Sequence, residues 1–183
     1  TLFNKCGIGM DEFDTLVLNV ENCVNLLMEL ENVTVINNNH PQIQWSVDTT
    51  TFFKDQFDSY IILREDAGWS PVGLVLNVDK LTYDDYSATN VLSQSYNYKV
   101  YMIYNSFNMD TTRSVHSILL ESVGNCDTLC FNWNSYNGWN SAQYNIMLQV
   151  DTGWVKLLST PITDTTYCGY FDSLDIGTNI FKV

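Results

Sequence analysis

Internal self-similarity sets the limits on what this chain can fold into. Trp45, Tyr60, Trp69, Tyr83 and Val100 recur in the same order as Trp133, Tyr144, Trp154, Tyr167 and Val183. The copies lie about 84 residues apart, the length of one small unit that repeats along a chain. The interval from Trp45 to Tyr60 is longer than that from Trp133 to Tyr144, so the first copy has the longer loop. With 183 residues, two small modules fit better than one large domain.

Each landmark sits in a period-two pattern. Ile43, Trp45 and Val47 alternate with Gln44 and Ser46, and Leu129, Phe131 and Trp133 alternate with Cys130 and Asn132. Both tryptophans therefore face a core from half-buried strands. Tyr60 to Arg64 and Tyr144 to Leu148 form the next strands, each leading through Gly68-Trp69 or Gly153-Trp154 into a hairpin. Thr82-Tyr83-Asp84-Asp85 and Thr166-Tyr167-Cys168-Gly169 follow as short strands. Tyr96, Tyr98 and Val100 alternate with Asn97 and Lys99 in a sixth strand, of which Asn179 to Val183 is the counterpart. With 14% aromatic residues and prominent Val, Ile and Thr, an all-β chain is expected.

Charge narrows the partners. Eight Lys and Arg against 21 Asp and Glu give a net charge of −13, which repels a phosphate backbone, so no nucleic acid partner is expected. No apolar run reaches the roughly 18 residues of a membrane span, so no membrane insertion is expected. The chain does not open with Met or a signal peptide and stops within a strand pattern, which reads as a segment of a longer mature protein. No cofactor and no metal are expected. The cysteines form no CxxC pair, His40 and His116 are the only histidines, and no DxDxDG loop is present. Disulfides in an oxidising compartment are the better use of five cysteines, with one thiol left over or paired elsewhere.

Catalytic groups are sparse. His40 at a strand entrance and His116 between modules read as structural or surface residues, and the pairs Glu65-Asp66 and Asp84-Asp85 read as solvated turn carboxylates. Trp69 and Trp154 share a packing role at equivalent hairpins. Trp133 belongs to a core, whereas Tyr136 and Trp139 in the loop after it are candidates for ligand contact, set against loop packing. An enzyme is not expected.

Trp on the second strand, Tyr opening the third, Thr-Tyr on the fifth and Tyr-x-Tyr-x-Val on the sixth together resemble a fibronectin type III module. Both copies carry the Trp, Tyr and Thr-Tyr landmarks, with Asn179 to Val183 standing for the sixth strand in the second, and the resemblance implies tandem Ig-like β-sandwiches. Ser117 to Leu120, Leu129 to Gly138, Tyr144 to Ile146, Leu157 to Ser159 and Thr165 to Tyr167 make the second copy similar to modules of Bacteroidetes cell-surface and gliding-motility-associated proteins. Asn4 to Gly7, Asp14 to Val20 and Cys23 resemble the last hairpin of an Ig-like or PKD-like module. The expected division is 1–25 for that hairpin, 26–112 for the first module and 113–183 for the second, without its last strand.

The resemblance implies an extracellular location, export by the type IX route, and adhesion or gliding as the setting. It also implies O-glycosylation at Asp-Ser/Thr motifs, here Thr15, Thr49, Thr111, Thr128, Thr165 and Ser173. The family's Cys-Gly-Asn after the sixth strand is replaced by Tyr104 to Asn108, so no disulfide is implied there. In this fold Cys130 on the second strand neighbours Cys168 on the fifth, and that pairing ranks ahead of Cys126 with Cys168. Cys6 with Cys23 would close the opening hairpin. The expected role is a non-catalytic spacer whose partners are the neighbouring modules of its own chain. One alternative is a fibre subunit that self-associates by strand exchange, and another is an accessory module binding surface glycans through Tyr136 and Trp139.

Overall fold

The computed structural model describes residues 28–48, 54–105, 107–124, 128–138, 141–151, 153–170 and 181–183. These residues form antiparallel sheets, and the only helix among them is a single 3-10 turn at Lys54–Gln56. Cys6, Thr15, Cys23, Thr49, Cys126, Trp139 and Ser173 lie outside the described residues, as does the expected hairpin at 1–25.

In the first half, β1 (Met28–Ile36), β2 (His40–Val47) and β5 (Thr82–Asp84) form one sheet in the order β1-β2-β5. The facing sheet runs β4 (Trp69–Val75), β3 (Phe57–Glu65), β6 (Asn97–Tyr104) and β7 (Phe107–Thr111), with β8 (Val115–His116) also paired to β6. The second half repeats this order. There β9 (Leu120–Gly124), β10 (Leu129–Trp133) and β13 (Thr166–Gly169) make one sheet, with β10 central. The other comprises β12 (Gly153–Pro161), β11 (Gln143–Val150) and β14 (Phe181–Lys182), with β11 central. The chain is therefore all-β, two Ig-like sandwiches in tandem.

Strict alternation builds the sheets. Along β6, Tyr98, Val100, Met102 and Tyr104 are buried, while Asn97, Lys99, Tyr101 and Ile103 point the other way and are half-buried. The larger core joins both sheets of the first sandwich through Leu30, Ile43, Trp45, Tyr60, Ile62 and Val100. At its centre Trp45 meets Tyr60 edge-on, with centroids 5.2 Å apart and ring planes at 68°. The second core repeats the contact: Trp133 meets Tyr144 at 5.5 Å and 69°. Edge-to-face geometry places the positive edge of one ring on the negative face of the other. The repeated tryptophans and tyrosines of the sequence are thus one inter-sheet contact used twice.

Turns follow local chemistry. The β1–β2 hairpin holds Asn37 and Asn38 at φ 50° and 54°, and the β6–β7 hairpin holds Asn105 at 49°, a left-handed region that asparagine enters more readily than most residues. Tyr96, just ahead of β6, accepts a hydrogen bond on its hydroxyl from the Asn90 backbone N–H at 3.2 Å. This is the tyrosine corner of Ig-like sandwiches, which ties the sixth strand to the connection before it.

Close packing also fixes one glycine. A Cβ on Gly73 would lie 2.4 Å from the ring of Tyr83. That ring is held in place because its hydroxyl donates to the Val72 carbonyl at 2.6 Å. Gly73→Ala is expected to destabilise the protein by about 1–3 kcal/mol, the usual cost of overpacking. Urea denaturation checks this, and Gly68→Ala, where nothing lies within 4 Å, is the matched control.

The equivalent hairpins place Trp69 opposite Glu65 and Trp154 opposite Gln149. Lys99 Nζ lies 4.1 Å from the centre of the Trp69 ring, so the shared packing role is met in the first sandwich by a cation over an indole. Trp154 is 40% exposed.

Candidate functional site: the junction

Two clusters of polar side chains stand out, one inside the first sandwich and one between the sandwiches. The first corrects the reading of Asp84-Asp85 as a solvated pair. Asp85 is 1% exposed, whereas Asp84 remains half-buried at the strand edge. Asp85 Oδ2 accepts from Arg64 at 2.7 Å and from the Tyr98 hydroxyl at 2.9 Å. Its Oδ1 accepts from the Ser87 hydroxyl at 2.6 Å and the Ser87 N–H at 3.0 Å. Arg64 in turn grips Asp66 through two nitrogens at 3.0 and 3.1 Å and lies over the Tyr96 ring. Burial alone would raise the Asp85 pKa, but the hydrogen bonds from Ser87, Tyr98 and Arg64 outweigh it and hold the carboxyl below its ordinary value. Burial, reinforced by the Asp85 charge, pushes the Tyr98 phenol well above its usual range. All these groups serve one another, so the cluster locks the two sheets together.

The second cluster joins the halves. β1 is irregular between Leu30 and Asn32, where Glu31 has no register partner on β2. Such a bulge turns a backbone group out of the ladder, and the freed Glu31 carbonyl accepts from the hydroxyl of Tyr136 at 3.1 Å. The Tyr136 ring packs against both hydrophobic cores, and its backbone N–H donates to the Tyr144 hydroxyl at 2.7 Å. Arg113 donates to the Gly138 carbonyl at 2.6 Å and pairs with Glu29 at 3.3 Å. The Arg113–Glu29 pair is well exposed and is worth little by itself.

The connecting segment is hydrogen-bonded on both sides. Thr112 exchanges bonds with Val100 through its N–H and its hydroxyl, and Ser117 does the same with Tyr96. Pairing to the first sheet therefore continues through Ser117. From the other side, Asn137 accepts from the His116 N–H and donates to the Ser114 carbonyl, both at 3.1 Å. Asn134 accepts from the Leu119 N–H at 2.6 Å and donates to the Ser117 carbonyl at 3.0 Å. His116 Nδ1 lies 2.9 Å from the Asn134 amide nitrogen, which makes His116 part of this network.

Of the cysteines, Cys130 and Cys168 are joined as a disulfide across directly opposed positions of β10 and β13. Trp133 N–H donates to the Thr165 carbonyl, so by alternation Cys130 and Cys168 occupy a non-hydrogen-bonded pair. There the Cα atoms approach most closely, here to 4.1 Å. Both sulfurs lie on the sheet face opposite Phe131 and Trp133. Among the expected glycosylation positions, Thr111 and Thr128 are exposed and Thr165 is half-buried. Tyr136 is half-buried with its hydroxyl committed to Glu31, so its place is in the junction rather than on an open ligand surface. Among the described residues no group of three or more His, Cys, Asp or Glu is placed to hold a metal, and no helix is long and apolar enough to cross a membrane.

Comparison with known proteins yields no matching family model and no matching curated protein. Among solved structures, a pectate lyase Pel3 from Pectobacterium carotovorum is 16% identical over 55% of this chain and 29% of that one, with a TM-score of 0.39. The FN1-FN3 domains of chicken CNTN1 are 13% identical over 78% of this chain and 56% of theirs, with a TM-score of 0.38. The central fibronectin-III array of RIM-binding protein is 11% identical over 77% of this chain and 56% of its own, with a TM-score of 0.34. This chain thus spans less than two thirds of each of these structures. The class the fold defines rests on its own topology: three strands facing a sheet with β3 and β6 at its centre, a tyrosine corner, and the same strand order in both halves. That is a fibronectin type III-like tandem.

Proposed function

We propose that this chain is a non-catalytic spacer segment of an extracellular multidomain protein, such as a bacterial surface adhesin or gliding-motility stalk. Its modules follow the expected division at 26–112 and 113–183, with residues through Ser117 still paired to the sheet of the first, and its partners are the neighbouring modules of the same chain. The observation that carries this reading is Tyr136, whose ring touches both cores and whose hydroxyl bonds the Glu31 carbonyl across the junction. Arg113, Asn134 and Asn137 add further bonds between the connecting segment and the loop after β10. A spacer needs a fixed angle between modules more than it needs a cleft, and a connection bonded on both sides resists bending. O-glycosylation at the exposed Thr111 and Thr128 and export by the type IX route belong to the same proposal.

Small-angle X-ray scattering tests it. The wild-type profile is expected to fit one fixed arrangement of the two sandwiches, and Tyr136→Ala to require a spread of arrangements. Tyr136→Phe, which loses only the hydroxyl bond, is expected to fall between them, at a stability cost of about 1 kcal/mol. A wild-type profile that already requires many arrangements sinks the spacer reading.

A further inference from the structure

The outer face of the β1-β2-β5 sheet carries rows of polar side chains in register. Val33, Ile43 and Trp45 point into the core, so the alternate residues share the outward face. In register across the strands these are Thr34, Gln42 and Asp84 in one row and Asn32, Gln44 and Thr82 in the next. Asp84 is the one charged side chain in these rows, in a chain whose net charge is −13. Cross-strand hydrogen bonds hold the amides: Asn32 to Gln44 at 3.2 Å and Gln42 to Asp84 at 2.9 Å. Thr34 donates to Asn32 at 3.2 Å. Gln42 Oε1 and Gln44 Nε2 carry no bond within the described residues. At the end of the face, the Tyr86 ring lies 4.2 Å from that of His40 and is 70% exposed, while His40 is 8% exposed beneath it.

We propose that this face binds a neutral glycan, with Tyr86 as the platform on which a sugar ring stacks and Gln42, Gln44 and Asp84 as the groups that bond its hydroxyls. A sugar hydroxyl both donates and accepts, and amides beside a carboxylate offer both roles. The cross-strand bonds set the side chains in place before binding, which reduces the ordering cost of association. From Gln44 to His40 the face is about 13 Å long, so the ligand is an oligosaccharide rather than a single sugar. Asp84 and the overall negative charge disfavour anionic glycans and nucleic acid. The rows lack the apolar centre a protein interface uses. This site is separate from the junction and does not depend on the spacer reading.

Affinity electrophoresis of the whole chain through gels containing laminarin, xylan, mannan or dextran, with alginate as the anionic control, tests the proposal. Retardation by at least one neutral polysaccharide and not by alginate is expected. Tyr86→Ala is expected to weaken retention tenfold or more, and so is Gln42→Ala combined with Asp84→Asn, with circular dichroism unchanged for both. The scattering profile should stay that of wild type, which separates this test from that of the junction. Retardation by none of the four, by alginate alone, or equally in wild type and Tyr86→Ala overturns the proposal.

Discussion

Replacing Asp85 by alanine is expected to destabilise the first sandwich by about 3–5 kcal/mol, the cost of breaking a buried ion pair from one side. The loss exceeds that of a surface carboxylate because Asp85 is 1% exposed and takes four hydrogen bonds, from Arg64, Tyr98 and twice from Ser87. Removing it leaves the Tyr98 hydroxyl buried without an acceptor and Arg64 without its innermost partner. Asp85→Asn keeps the shape and some of the bonds and should cost less. The same carboxylate gives a pH signature. Its folded pKa is lowered, so its contribution is fully present above the unfolded value of about 3.9 and is lost as pH falls through the lower folded value. Urea titrations between pH 7 and pH 2 are expected to show wild-type stability falling in that acid window, and Asp85→Asn lacking that share of the fall. Identical pH slopes for the two proteins would show that Asp85 is not held as an ion in the folded state.

Opening the Cys130–Cys168 disulfide is expected to cost about 4 kcal/mol. The bond closes a loop with a sequence separation of 38, and the chain-entropy model gives that magnitude for the freedom regained by the unfolded chain. Its position opposite the core face means that little packing is lost with it, so the double variant Cys130→Ser with Cys168→Ser should keep its fold while its denaturation midpoint drops. The first sandwich contains no cysteine among its described residues, so reduction should lower the stability of the second sandwich most, and that of the first only through the junction that Tyr136 shares with it. Equal stability of the reduced and oxidised protein, or a larger loss from the first sandwich than from the second, would contradict this.

Much of the architecture was legible in the sequence because alternation and recurrence are local signals. Trp45 and Trp133 lie on period-two strands, and the structure puts each against the tyrosine of the following strand at nearly the same distance and angle. Cys130 and Cys168 could be ranked first once the second and fifth strands were taken as neighbours, and they stand directly opposed. Asp85 was not legible. Asp-Asp-Tyr-Ser reads as a turn, and nothing local announces that Arg64 and Tyr98 will converge on one carboxylate from another sheet. Tyr136 reads from the sequence as a loop aromatic, either packed over the sandwich end or open to a ligand, and only a bulge on β1, more than a hundred residues earlier, gives its hydroxyl an acceptor. The polar face around Gln42 and Tyr86 was hidden for the same reason, since cross-strand rows exist only once register is fixed.

Backbone 15N relaxation tests the rigidity of the junction most directly. Two sandwiches held by Tyr136, Arg113, Asn134 and Asn137 should tumble as one body, with amides of β3 and β11 sharing a single overall correlation time. Tyr136→Ala should split that value in two. Separate, shorter correlation times for the two halves of the wild-type protein would contradict a fixed junction and the spacer role proposed from it.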